Sequence, residues 1–191
     1  LPSLIVIACA NGAADIFCVN GRRLPALFVL GEQKCATTSL AEQLVHEWGV
    51  SASNVGKEVH YFDEGGRSLA GFASKFPYCG GPNQLTVDLT PNYVLGYAMR
   101  AGSLAAIKNA YGPERLNKTT FALLMCDPVQ RALSFHYHFQ PDRGSFRGAV
   151  SSHRHHLSRA SMFADGLYSH QTDAILRELG QLVIIPSPLY Y

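Results

Sequence analysis

The chain has 191 residues, 47% of them apolar and 16% charged, with a formal net charge of +2. That length favours one domain, and the composition is that of a globular protein with enough apolar matter for a core. The slight basic excess argues against a nucleic-acid binder, which concentrates its basic residues on one face, and suits a single local anion site.

Five cysteines, Cys9, Cys18, Cys35, Cys79 and Cys126, are widely spaced and include no CxxC pair. Neither a zinc site nor a disulfide framework is expected from them, and the redox compartment stays open. Residues Leu4 to Ala10 (LIVIACA) form an apolar run far shorter than the roughly 20 residues of a membrane span. The run reads either as the remnant of a signal peptide or anchor or as a buried strand. Residues 1–24 are expected to be a leader ending in the polar turn Asn20-Gly21-Arg22-Arg23. Residues 25–191 are expected to be one domain, incomplete at its C-terminal end.

From Pro25 onward, short apolar runs alternate with helical patterns, which predicts an α/β fold on a mostly parallel sheet. Ala26 to Leu30 reads as a buried strand and Gly31 to Ala36 as a polar loop. Thr37 to Trp48 reads as a helix, with Leu40, Leu44, Val45 and Trp48 on one face and Gly49 as its stop. Glu58 to Phe62 reads as a short strand or strand end, Ser68 to Phe76 as a helix and Leu85 to Leu89 as a strand, with a turn opening at Pro91. Thr119 to Met125 reads as a buried strand. Pro128 then opens a helix running to Phe139, Ser169 to Leu179 forms another stopped by Gly180, and Leu182 to Ile185 is a last strand.

The first strand–loop–helix unit carries the clearest chemistry. A helix entered through a tight loop presents free backbone N–H groups and the positive end of its dipole, which together attract an anion. Lys34 adds a full charge there, and Thr37, Thr38 and Ser39 add hydroxyls. A Walker A loop needs GxxxxGK[ST]. Counted from Gly31, Ala36 and Thr37 hold the Gly and Lys positions, and Lys34 comes three residues early. A nucleotide kinase is therefore disfavoured.

The segment resembles the 5′-phosphosulfate loop of the sulfotransferases that use 3′-phosphoadenosine 5′-phosphosulfate (PAPS), a strand followed by K-x-G-T-T/S. Ala36 stands at that family's glycine. Lys57-Glu58-Val59-His60-Tyr61-Phe62-Asp63 resembles the KEVHFFD segment of the carbohydrate sulfotransferases, especially the heparan sulfate glucosaminyl enzymes. In that family the glutamate acts as general base, a role that suits a hydroxyl needing deprotonation before attack. Cys126-Asp127-Pro128, with Arg131 and Ser134, is similar to the family's 3′-phosphate stretch R-[DN]-P-x-x-R-x-x-S, with Cys126 in place of the arginine. Val87 to Tyr93 is similar to its E-K-T-P-x-Y segment, with Leu89 in place of a lysine, and Gly166-Leu167-Tyr168 to its G-x-Y helix. The resemblance covers roughly residues 25 to 186.

The resemblance implies a P-loop-like sulfotransferase fold and in-line transfer of a sulfuryl group from PAPS to a hydroxyl or amine, with a glycan as acceptor. It implies Glu58 as base, Lys34 as stabiliser of the leaving phosphate and His60 beside the base. Donor binding falls to Lys34, Cys35, Ala36, Thr37, Thr38, Ser39, Cys126, Arg131 and Ser134. It implies no metal, and His153, His155 and His156 read as a solvated loop rather than a metal site. A Golgi-lumen location, no nucleic-acid partner and membrane contact only through a lost N-terminal anchor complete the expectation. The alternative is a catalytically impaired relative that binds a glycan, which Ala36, Leu89 and Cys126 favour and Lys34, Glu58 and Ser134 oppose.

Overall fold

The computed structural model describes residues 16–80, 85–96, 102–139, 144–153 and 166–187. β1 (Cys18–Val19) and β2 (Arg22–Arg23) pair as an antiparallel hairpin. Its turn residues Asn20 and Gly21 both take positive φ, 52° and 74°, the conformation that Asn-Gly turns favour. β3 (Leu27–Gly31) follows and is buried throughout. α1 (Thr37–Glu42) continues through a π-helical turn at Gln43–Glu47. α2 (Leu69–Ala73) starts at Ser68, whose side chain accepts from the Gly71 N–H, as N-capping serines do. β4 (Val87–Asp88) leads into a 3₁₀ turn at Pro91–Val94. α3 (Ser103–Leu116) is broken at Gly112, just ahead of Pro113. β5 (Thr120–Met125), α4 (Pro128–Phe139), α5 (Phe146–His153), α6 (Tyr168–Leu179) and β6 (Val183–Pro186) complete the order.

The molecule is a mixed α/β domain on a parallel four-stranded sheet of spatial order β4-β3-β5-β6. Successive residues of a strand face opposite sides. Phe28, Leu30, Phe121 and Leu123 meet Phe62, Phe72, Tyr93, Ile107 and Ile175 on one face. Leu27, Val29, Ala122 and Leu124 meet Cys35, Ala41 and Leu44 on the other. Both faces are covered, so the central strands are apolar throughout rather than alternating. The first strand of the sheet, β3, has the second on one side and the third, β5, on the other. The chain thus changes winding direction between β3 and β5, and the carboxyl ends at such a switch point open the crevice where ligands of α/β sheets bind.

Three expectations are corrected, and one helix was not foreseen. Glu58 to Phe62 is not a strand: His60 takes φ 51°, and the N–H groups of Val59 and His60 donate to Thr90 Oγ1 (2.9 and 3.4 Å) instead of to a ladder. Trp48 does not join the buried face of its helix, because the π turn rotates the helix end and leaves it 37% exposed. α3 was not anticipated. Four of the five cysteines, from which no disulfide framework is expected, form two disulfides, Cys18–Cys79 and Cys35–Cys126, with Cα–Cα distances of 6.1 and 5.5 Å. These pairs lie 61 and 91 residues apart in the chain, so local spacing carries no signal of them. The described part of the expected leader, from Ile16, is the hairpin that Cys18–Cys79 joins to the domain, with Phe17 and Leu24 buried in the core. Leu4 to Ala10, His155 and His156 lie outside the described residues.

The Val59–His60 backbone is held by a buried carboxylate. Asp88 Oδ1 accepts from the Thr90 N–H (3.1 Å) and from Thr90 Oγ1 (2.7 Å), and Asp88 Oδ2 accepts from the Tyr93 hydroxyl (2.8 Å). Thr90 Oγ1 in turn receives the Val59 N–H. Burial dominates the carboxyl and pushes it up to about 6, against the opposing hydrogen bonds of Thr90 and Tyr93.

Two predictions follow from this arrangement. The native state binds more protons than the unfolded chain between the ordinary carboxyl value, 3.8, and about 6. Stability linked to Asp88 is therefore present at low pH and lost as pH rises through that window, by up to about 3 kcal/mol. Urea midpoints of the parent should fall relative to those of Asp88→Asn between pH 4 and pH 6.5; parallel curves would show no such linkage. Replacing both Cys35 and Cys126 by alanine should cost about 2–4 kcal/mol, the usual effect of releasing a long disulfide-closed loop. An unchanged urea midpoint under non-reducing conditions would show that the pair does not close.

Candidate active site

The crevice at the β3/β5 switch point is a cleft of about 680 Å³. Three parts of the chain build its charged walls. Gln33, Lys34, Ala36, Thr37, Thr38 and Ser39 come from the β3–α1 loop and the first turn of α1, Lys57, Glu58 and His60 from the segment fixed by Thr90, and Ser134, His138 and Phe139 from α4. Pro91 and Asn92 close one side. The loop bends tightly because Lys34 (φ 73°) and Ala36 (φ 67°) both take the left-handed conformation. For a residue with a Cβ that conformation costs roughly 1–2 kcal/mol, which explains a glycine at the position of Ala36 in the family that the loop resembles.

Glu58 is held at both oxygens. Lys57 Nζ donates to Oε1 at 2.9 Å, and His60 Nε2 lies 3.2 Å from Oε2. His60 Nδ1 lies 2.8 Å from Asp63 Oδ2 on a side chain only 2% exposed. The histidine thus stands between two carboxylates. Partial burial alone would lower its pKa, but the hydrogen bond and charge of Asp63, with Glu58 and Glu64, outweigh this and hold it above the ordinary value. Lys34 is pulled the other way: burial, then the neighbouring ammonium of Lys57, lowers its pKa. Lys57 also reaches Thr37 Oγ1 (3.3 Å) and Thr38 Oγ1 (3.1 Å).

The structure therefore brings Lys34, Ala36, Thr37, Thr38, Ser39, Glu58, His60 and Ser134 to one cleft and leaves three of the expected donor contacts beneath it. Arg131 is fully buried; its Nη1 donates to the Gln33 carbonyl (3.3 Å) and lies 3.6 Å from Glu32 Oε2. Cys35 and Cys126 spend their side chains on each other, and the Cys35 N–H already donates to the Glu32 carbonyl at 3.1 Å. The Tyr168 hydroxyl donates to the Cys126 carbonyl at 2.9 Å and covers the disulfide. Leu89 is buried in the core. Lys57 and Asp63 join the site though the sequence reading did not assign them. Their proximity to Glu58 and His60 in the chain was visible, but the turn that closes the contacts was not.

An arrangement of this kind can hold a multiply charged anion on the loop and present a carboxylate base to a second molecule beside it. No family model matches the chain, and no curated protein matches it. Among solved structures, it is similar to a sulfotransferase from Alicyclobacillus acidocaldarius, with a TM-score of 0.64 and 22% identity over 85% of this chain and 72% of that one. The likeness supports the fold described above, a single α/β domain on a central parallel sheet.

Proposed function

We propose that the chain is a PAPS-dependent sulfotransferase that places a sulfuryl group on a hydroxyl or amine of a glycan. One observation carries this reading: Glu58, clamped by Lys57 and His60, faces the same cleft as the cationic, hydroxyl-lined loop of Lys34, Thr37, Thr38 and Ser39. The fold likeness to a sulfotransferase supports it, and the cleft volume lies in the range of small-molecule sites.

In this reading the loop holds the phosphosulfate end of the donor and Ser134 the 3′-phosphate end. Glu58 takes the proton of the acceptor as its oxygen or nitrogen bonds to sulfur. The sulfur–oxygen bond to the 5′-phosphate breaks, and its electron pair passes to the phosphate oxygen. Lys34 stabilises the charge that grows there, which is where a fixed cation contributes most. Asp63 and His60 orient the base. The two disulfides support an oxidising compartment, in line with a secretory or Golgi-lumen location. The likeness of the Lys57 to Asp63 segment to that of the glucosaminyl enzymes tilts the proposed acceptor toward an aminosugar glycan.

A second reading, a glycan-binding relative without turnover, is favoured by one observation: Cys126 is held in a disulfide at the strand end where the resemblance calls for an arginine. Calorimetry with 3′,5′-adenosine diphosphate and radiolabelled sulfate transfer to unsulfated aminosugar glycans separate the two. Donor-product binding without transfer would favour the second, and absence of both would sink the first.

Glu58→Gln should lower turnover by about 10²- to 10⁴-fold, the usual cost of losing a general base, without weakening binding of 3′,5′-adenosine diphosphate. Turnover within a few-fold of the parent would remove Glu58 from the base role. Lys34→Ala should weaken that binding and also lower turnover at saturating donor, since its charge matters more as the leaving group develops. A change in affinity alone would restrict Lys34 to ground-state binding.

A further inference from the structure

Lys57 is the one side chain among the described residues that touches both the anion loop and the base. Its ammonium has three N–H donors and no acceptor, and three oxygens surround it: Glu58 Oε1 at 2.9 Å, Thr38 Oγ1 at 3.1 Å and Thr37 Oγ1 at 3.3 Å. Each threonine hydroxyl receives a hydrogen bond from Lys57, so its own proton points elsewhere. Lys57 therefore presets both hydroxyls as donors. Thr38 is exposed, and both threonines line the cleft.

An anion seated on those hydroxyls comes within reach of the same ammonium. It then competes with Glu58 for a fixed number of N–H bonds. Lys34 faces the same cleft, and each of the two ammoniums repels the other. An anion between them removes that repulsion, which a carboxylate on one flank cannot do for both.

We propose that Lys57 is a shared clamp that couples donor binding to release of the base: the anionic end of the donor draws Lys57 off Glu58 Oε1, and that oxygen becomes free to take the acceptor's proton. The inference rests on the sulfotransferase reading above, and gives it an order of events in which the donor binds first and the base is freed second. No further reactant is required, because the proton passes from the acceptor to Glu58 as before.

A double-mutant cycle in binding tests this without using turnover. Affinity for 3′,5′-adenosine diphosphate is measured by calorimetry for the parent, Glu58→Gln, Lys57→Met and the pair combined. Lys57→Met should weaken binding about tenfold, as expected for one charge-assisted hydrogen bond. Glu58→Gln should tighten binding about tenfold when Lys57 is present, because the competing carboxylate is gone. Combined with Lys57→Met, the same change should gain no more than about twofold. Lys57→Arg should keep the coupling and serves as the control for folding. Equal gains from Glu58→Gln with and without Lys57 would overturn the clamp and leave the sulfotransferase reading standing. A parent that binds no 3′,5′-adenosine diphosphate would overturn both.

Discussion

The loop that leaves the carboxyl end of β3 and the helix α4 that follows β5 are joined beneath the cleft by a buried charge pair. Glu32 and Arg131 are both inaccessible to solvent. Taking two charges out of water costs several kcal/mol for each ion, and their attraction offsets this only when the remaining donors and acceptors are also engaged. Here Gln171, on α6, donates to Glu32 Oε1 at 3.0 Å, and Arg131 Nη1 reaches the Gln33 carbonyl as well as Glu32. The pair therefore ties together the anion loop, α4 and α6. Loss of either ion alone would leave the other buried without its partner, which is the costly way to break such a pair.

The Cys35–Cys126 bond lies at the same junction and joins the anion loop to the end of β5. In the resembling family an arginine at the end of the β5 strand would face the ligand. In this chain that position supplies a covalent link to the anion loop, and Tyr168 covers it from α6. Burial raises the pKa of the tyrosine, and its hydroxyl donates to the Cys126 carbonyl. The position thus carries a fixed covalent strut where the resemblance calls for a movable charge.

The strands β3, β5 and β6 and the helices α1, α4 and α6 were legible because each is long or flanked by a decisive residue: Pro128 opens α4, and Gly180 stops α6 at φ 79°. α3 was not legible because Gly112-Pro113 interrupts its pattern, and the backbone does leave the helix there. The segment at Glu58 looked extended because its hydrophobic and polar residues alternate. Its N–H groups are satisfied by a threonine side chain some thirty residues away, a partner that no local pattern announces. The anion loop, Glu58 and Ser134 could be read as separate motifs. Their shared cleft follows from the order of the sheet. Arg131 is expected at the donor because it stands in the R-[DN]-P-x-x-R-x-x-S stretch, and only the packing of α4 over the loop turns it inward beneath the cleft.

The electrostatics of the cleft set what it can hold. Lys34 and Lys57 face one space with Glu58 on a single flank, and His60 is biased toward its charged form by two carboxylates. Partial burial raises the cost of every unbalanced charge, as the lowered pKa of Lys34 records. A neutral ligand would leave that cost in place, and a second cation would add to it. A compact anion with several oxygens is the ligand that relieves both ammoniums at once while leaving the carboxylate beside it. In the proposed reading that carboxylate serves a second molecule carrying a proton, so the charge pattern that suits an anionic donor also suits an acceptor beside it.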